Sequence, residues 1–323
     1  MRPDSSALRA TYDRRLPDYD RASRNLREAI ELLLAQAKIA NLAVTARVKS
    51  FESFAGKVDR KGYVQPFEQV TDFVGIRVIL YLPRDVPPVL DMLRKEFDVI
   101  EDEDTSDRLA DNEFGYRSHH ILLKIREVWA STPSFRGLDR MYAEVQIRTL
   151  MMHAWADIAH KLDYKSKEQI PTDIRRRLFL LSAKIEEVDQ QFESLVENVE
   201  DYRARVAEEA AKRGEFDVTL ELNLDTFKEL IAFFFPGREA HEVMTQDLYD
   251  QVTSLGITMS QLVGAAKSLK QIEKHLLSKV PNLAAQAAFS YALDIFVDGF
   301  SDAQRYTPSR REIINELIKT AKR

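Results

Sequence analysis

Two short segments of the chain combine carboxylates and arginines in a pattern suited to metal-dependent phosphoryl transfer. In V-T-D-F-V-G-I-R-V-I (Val70 to Ile79) Asp72 precedes Arg77, and in Y-A-E-V-Q-I-R-T (Tyr142 to Thr149) Glu144 precedes Arg148. Two carboxylates, Asp72 and Glu144, can hold Mg²⁺, and arginines neutralise the phosphate oxygens that the metal leaves uncovered. Upstream, R-V-K-S-F-E-S-F-A-G-K brings Arg47, Lys49, Ser53 and Lys57 into one stretch, with enough positive charge to hold a triphosphate beside the Asp72 strand. On a helix Ser53 and Lys57 would share a face, with Ser50 one turn earlier, whereas Arg47, Lys49 and Lys57 would not all share one. An amphipathic surface helix carries similar residues, so this stretch takes its meaning from its neighbours.

The run E-F-G-Y-R-S-H-H (Glu113 to His120) adds an aromatic candidate. Gly115 permits a tight bend just before Tyr116, so the ring could reach a ligand base, a stacking worth about 1–3 kcal/mol. The alternative is a tyrosine that closes a hairpin. On a strand His119 and His120 point to opposite faces, so at most one faces a site. His153 and His160 lie seven apart on a helix without an H-E-x-x-H spacing and read as packing or hydrogen-bonding residues. In the second segment Glu144, Gln146 and Arg148 alternate with Val145 and Ile147, giving one polar and one apolar strand face. An acid at mid-strand is costly unless a metal or hydrogen bonds satisfy it; the competing reading is a merely solvated polar face.

Several elements must position these groups. Apolar residues at Leu26, Ile30, Leu33, Leu34, Ala37, Ile39 and Leu42 predict an amphipathic helix from Arg21 to Ala46. The β-branched run Val74, Ile76, Val78 and Ile79 predicts a buried strand ended near Pro83, and Pro87 and Pro88 open a helix to Phe97. Strands are expected over about Ser118 to Val128 and Met141 to Arg148, and the acidic stretch from Glu96 to Glu113 reads as a solvated loop. After Thr149 the pattern is helical: Leu178, Leu181, Ile185, Val188, Phe192, Leu195, Val199 and Tyr202 form one apolar stripe for packing onto the sheet or a neighbour. The expected architecture is α+β, a mixed β-sheet flanked by helices with a helical C-terminal region. The expected organisation is an N-terminal helical segment (1–46), a core (47–165), a long packing helix (166–213) and a helical C-terminal domain (214–323).

The 323 residues can bury a core without covalent staples. With no cysteine, zinc-finger, iron–sulfur and thiol-nucleophile chemistries are excluded. A net charge of −5, from 47 basic and 52 acidic residues, gives no bulk attraction to nucleic acid, so an anionic ligand requires a local cationic cluster. The polar N-terminus and the lack of any stretch of ~20 apolar residues predict a cytoplasmic protein with no membrane partner.

Taken in order, R-V-K-x₃-S-x₃-K, D-F-V-G-I-R, G-Y-R-S-x-H, E-V-Q-I-R-T and the following helix with Met151, Trp155, His160 and Tyr164-Lys165 resemble the RelA/SpoT alarmone synthetase domain over roughly Arg47 to Lys165. The resemblance implies a nucleotidyltransferase-like fold and transfer of the β,γ-pyrophosphate of ATP to the 3′-hydroxyl of GDP or GTP, making ppGpp or pppGpp. It implies Asp72 as the Mg²⁺ ligand and Glu144 as the second acid, which orients metal and hydroxyl or accepts its proton. Arg47, Lys49, Ser53, Lys57 and Arg77 would bind ATP, Arg47 as a candidate to stack on adenine; Tyr116 would stack on the acceptor base, supported by His120, Gln146 and Arg148. The approach to Gly115 departs from the family pattern: Asp111, Asn112 and Glu113 stand where a basic residue is common. That departure also fits toxin-type relatives that pyrophosphorylate the 3′ end of tRNA, and a catalytically silent nucleotide-binding module is a third reading. The adjacent His-Asp pair of the family's hydrolase domain is missing, and the C-terminal helical region is a candidate for regulation, oligomerisation or a protein partner.

Overall fold

The computed structural model describes residues 5–104, 118–161, 172–300 and 307–321. The chain divides into two compact units, Met1–Leu195 and Val196–Arg323.

The first unit is built on a five-stranded mixed sheet. Its strands are β1 (Asn41–Val48), β2 (Val74–Leu80), β3 (Asp98–Asp104), β4 (His119–Lys124) and β5 (Tyr142–Thr149), arranged in the order β1-β2-β5-β4-β3. β2 and β5 run parallel at the centre, while β1/β2, β5/β4 and β4/β3 are antiparallel. Helices α1 (Ser5–Gln36), α2 (Phe51–Lys61), α3 (Pro66–Gln69), α4 (Val86–Glu96), α5 (Glu127–Ala130) and α6 (Leu150–Lys161) complete the α+β arrangement with the first part of α7 (Thr172–Arg213). The core joins Leu26, Ile30 and Leu34 of α1 to Val74, Ile76 and Val78 of β2 and Val145 and Ile147 of β5. A chain of aromatic rings fastens α1 to the β1–β2 connection: Tyr19 stacks on Phe73 at 4.5 Å, and Phe54 meets Phe73 at 4.9 Å and Phe67 at 5.0 Å.

Four expectations change here. The helix read from Arg21 to Ala46 begins at Ser5, ends at Gln36, and gives way to β1 after a turn in which Lys38 adopts φ 57. Leu42, Val44, Ala46 and Val48 alternate with polar or small residues, a period of two that the preceding helical spacing hides. The strand expected from Ser118 to Val128 stops at Lys124, and Glu127 begins the short α5. The acidic stretch is no simple loop, since Asp98–Asp104 is strand β3, bulged between Val99 and Glu101. It lies at the sheet edge, where charged side chains reach water and discourage further strand pairing. The stripe on α7 is also not packed away: Leu181, Phe192 and Leu195 are exposed.

The second unit gathers α8 (Leu224–Phe234), α9 (Glu242–Ser254), α10 (Met259–Lys279), α11 (Ala285–Phe296) and α12 (Pro308–Ala321) with the last turns of α7 around a separate core. Phe227, Phe235, Phe289, Leu262, Leu269 and Leu293 fill its centre. Asn223 and Thr258 start α8 and α10 with reciprocal capping boxes, each satisfying backbone N–H groups that a helix start leaves open. Among the described residues no helix is long and apolar enough to cross a membrane.

Candidate active site

Strand register sets the polar face of the sheet. Gly75 of β2 pairs with Arg47 on one side and Glu144 on the other, while Arg77 pairs with Thr45 and Gln146, and Gln146 with His120. Glu144, Gln146, Arg77 and His120 therefore share a face, as the alternation in the sequence predicts. Gly75 has a specific use: a Cβ there would stand 3.4 Å from both Cγ and Nε of Arg47, so its bare backbone leaves room for the Arg47 side chain to lie across the sheet.

Asp72 stands just before β2, at the mouth of this face. Lys49 Nζ lies 3.0 Å from its Oδ2 and Lys57 Nζ 3.0 Å from its Oδ1. Burial pushes the Asp72 carboxyl up, but the Lys57 and Lys49 ammonium groups outweigh it and hold the group below its ordinary value. Each carboxylate oxygen of Asp72 thus faces one ammonium group. Lys49 is fixed through its backbone, since its N–H donates to Phe73 O at 2.8 Å and its carbonyl accepts from Tyr12 Oη at 2.6 Å. Ser50 then caps α2 by accepting from the Ser53 N–H at 3.2 Å, placing Ser53 and Lys57 on a helix that starts beside Asp72.

Glu144 is held differently. His120 Nδ1 lies 3.1 Å from its Oε1, Gln146 Nε2 donates to its Oε2 at 3.2 Å, and Arg148 donates to Gln146 Oε1 at 2.5 Å. The bond from His120 is the main reason its carboxyl lies below the ordinary value, against burial and the repulsion of Asp72, whose charge reaches it. His120 Nε2 is buried without a hydrogen-bond partner.

Two residues that the sequence reading left out support the site, Asp157 beside it and Asp189 behind β5. Asp157 of α6 sits 3.6 Å from Arg77 and 3.8 Å from His153 Nε2. Burial lowers His153, and Arg148 and Arg77 add to that effect against the pull of Asp157, so its ring favours the neutral form. At the end of β5 the Thr149 hydroxyl donates to Asp189 Oδ2 at 2.6 Å and accepts from the Met152 N–H at 3.1 Å, capping α6. Burial raises the Asp189 carboxyl above its ordinary value. Asp157 was discoverable as the residue four positions after His153, on the same helix face; Asp189, forty residues from its partner, carried no local signal. Tyr116 lies outside the described residues.

The structure brings Arg47, Lys49, Lys57, Arg77, Asp72, Glu144, His120 and Gln146 to one sheet face and its mouth, with Ser53 on the adjoining helix start. No group of three or more His, Cys, Asp or Glu among the described residues could enclose a metal ion by itself. The carboxylates of Asp72 and Glu144 still suit Mg²⁺, which takes one or two carboxylates and completes its shell with water and substrate phosphates.

A sequence model of the region found in RelA/SpoT proteins matches residues 46–169. The GTP pyrophosphokinase YjbM of Bacillus subtilis is 33% identical over 165 residues, which span 50% of this chain and 74% of that protein. The chain belongs to the RelA/SpoT family. The GTP pyrophosphokinase YwaC of the same organism is 30% identical over 139 residues, covering 41% of this chain and 63% of that protein. Among solved structures the small alarmone synthetase 1 from Bacillus subtilis superimposes with a TM-score of 0.51 at 28% identity, over 59% of this chain and 98% of that one. The RelA/SpoT match thus spans the end of β1, the other four strands and the residues lining their polar face; α8 to α12 lie beyond the matched region.

Proposed function

We propose that the protein is a GTP/GDP pyrophosphokinase that transfers the β,γ-pyrophosphate of ATP to the 3′-hydroxyl of GDP or GTP, giving ppGpp or pppGpp. The reading is supported by the names of its RelA/SpoT relatives and, above all, by the joint presence of Asp72 with its two lysines and Glu144 with His120 on one sheet face. A site without catalysis has no physical need for two part-buried acids whose charges reach one another.

In this mechanism Lys49, Lys57, Arg47 and Arg77 take up the phosphates of ATP, with Ser53 at the start of α2 offering a further donor. Lys49 and Lys57 rest on Asp72 and can turn to phosphate oxygens when ligand enters. Asp72 and Glu144 would hold Mg²⁺, which would supply neutralisation of phosphate charge. The acceptor 3′-oxygen attacks the β-phosphorus, the bond from that phosphorus to the α,β-bridging oxygen breaks, and AMP departs with the bridging oxygen. The proton of the 3′-hydroxyl goes to the Glu144 carboxylate, which His120 and Gln146 keep aimed. Arg77 and Arg148 supply positive charge around the transferred group. Tyr116 stacks on the acceptor base by its place in the G-Y-R-S motif. Such transfer asks the protein for positioning and charge neutralisation more than for covalent chemistry.

Incubation with labelled ATP, Mg²⁺ and GDP, GTP or deacylated tRNA in parallel tests the assignment. Expected are AMP release and label on the guanine nucleotide. Label on tRNA alone would replace the acceptor, and no transfer to any acceptor would remove the enzyme reading.

A further inference from the structure

Behind the sheet lies a second cavity that the proposed reaction leaves unused. Where β5 ends, a space of about 490 Å³ opens within the first unit, bordered by the start of α4, by β4 and β5 and by α7. Its volume is that of a small-molecule site. From β5 it takes Ile147 and Thr149, which alternate with Glu144 and Gln146, and from β4 it takes His119, the neighbour of His120. These side chains point to the face opposite the active site. Arg148 also borders the cavity, but its guanidinium donates to Gln146 on the polar face, and His119 is committed to Asp102.

The walls differ in chemistry. Val86, Pro87 and Leu90 of α4, with Ile147 and Met152, are apolar, whereas Glu186, Asp189 and Glu193 share one face of α7 at i, i+3 and i+7 and are acidic. Asp189 is the decisive one. It is 4% exposed, and while its Oδ2 accepts from the Thr149 hydroxyl, its Oδ1 is buried with no hydrogen-bond partner. A carboxylate oxygen buried in that way costs free energy that a donor would recover. Burial raises this carboxyl, the Thr149 hydroxyl opposes the rise, and Glu193 and Glu186 add repulsion. The field at the unpaired oxygen is therefore one that a cation relieves.

We infer that this cavity binds a small organic cation with an apolar body, its amidinium or ammonium head on Asp189 Oδ1 and its body against the apolar wall of α4, β5 and Met152. The head supplies the missing donor as a charge-assisted bond, and the body displaces water from the apolar wall. Neither half of such a ligand suffices alone.

Calorimetric titration of the full chain with benzamidine, without nucleotide or Mg²⁺, is expected to show one saturable site per chain. Benzyl alcohol, which keeps the ring and loses the charge, and guanidinium, which keeps the charge and loses the ring, should each bind at least about tenfold more weakly. Asp189→Asn retains an acceptor for Thr149 and should weaken benzamidine by a similar factor. Asp72→Asn and Glu144→Gln should leave its affinity unchanged. With methyl-labelled methionine, the benzamidine ring protons should show a nuclear Overhauser contact to Met152 among the seven methionines of the chain. No saturable binding, equal binding of either analogue, indifference to Asp189→Asn, loss at Asp72→Asn or Glu144→Gln, or no contact to Met152 would each overturn the proposal. If Asp189→Asn fails to fold, the Met152 contact and the two analogues decide.

Discussion

The two acids of the site are restrained by opposite means. Asp72 is gripped by the ammonium groups of Lys49 and Lys57, long chains that can swing to another anion. Glu144 is locked by a histidine, an amide and, one step further, a guanidinium, all projecting from adjacent strands whose register fixes their spacing. One half of the site is therefore exchangeable and the other preorganised. This division suits a reaction in which phosphates must be captured and released on one side, while a proton acceptor stays aimed on the other.

The largest effect separating the halves is expected at Glu144. Glu144→Gln keeps the shape and one acceptor oxygen but removes the proton acceptor and a metal ligand, so transfer should fall about 10²–10⁴-fold, with metal-free ATP affinity by calorimetry little altered. Asp72→Asn should cut transfer about 10²–10³-fold with a second signature that Glu144→Gln lacks. In a chelator-treated sample it should bind ATP more tightly than the unmodified protein, because Lys49 and Lys57 lose their anionic partner. Equal metal-free affinity would show that the two lysines are not exchangeable. His120→Asn tests the locked half more gently: losing the support of Glu144 should cost about 10-fold in kcat, the lower range for removing a second-layer partner, with KM for ATP held. Gly75→Val should act on the capture half alone, raising KM for ATP several-fold as the new side chain pushes Arg47 aside, while kcat stays near its starting value.

The smallest effect concerns the anchor behind β5. The folded carboxyl of Asp189 lies above its unfolded value near 3.8. The folded state therefore binds the proton more tightly, and the stability this contributes is complete below the unfolded value and lost as pH rises through the folded one. Asp189→Asn retains an acceptor for Thr149 without the buried charge. Thermal melts should show it gaining a few degrees over the parent at neutral pH and nothing at pH below 3.8.

The parts legible in the sequence were those in which chemistry and periodicity coincide on one element. Alternation of Glu144, Gln146 and Arg148 against Val145 and Ile147 disclosed a strand with one polar face, and the sheet preserves it. The β-branched run before Pro83 disclosed β2, and Pro87 and Pro88 disclosed α4. The start of β1 was hidden because Ile39 and Leu42 extend the helical spacing of α1, and only the turn at Lys38 breaks it. Strand β3 was hidden because an edge strand tolerates the acidic composition expected of a loop. Contacts between distant segments, such as Thr149 with Asp189 or Tyr12 with the Lys49 carbonyl, leave no trace in local spacing. For α7 the sequence disclosed the stripe, but its exposure could come only from coordinates.

The lysine–aspartate contacts also bear on how a nucleotide finds the protein. While Lys49 and Lys57 sit against Asp72, much of their field is cancelled locally, and Arg77 is similarly offset by Asp157. A distant polyanion meets a nearly neutral entrance on a chain of net charge −5. Capture should then depend little on ionic strength, with attraction rising only over the last few ångströms, when the ligand competes for the ammonium groups themselves.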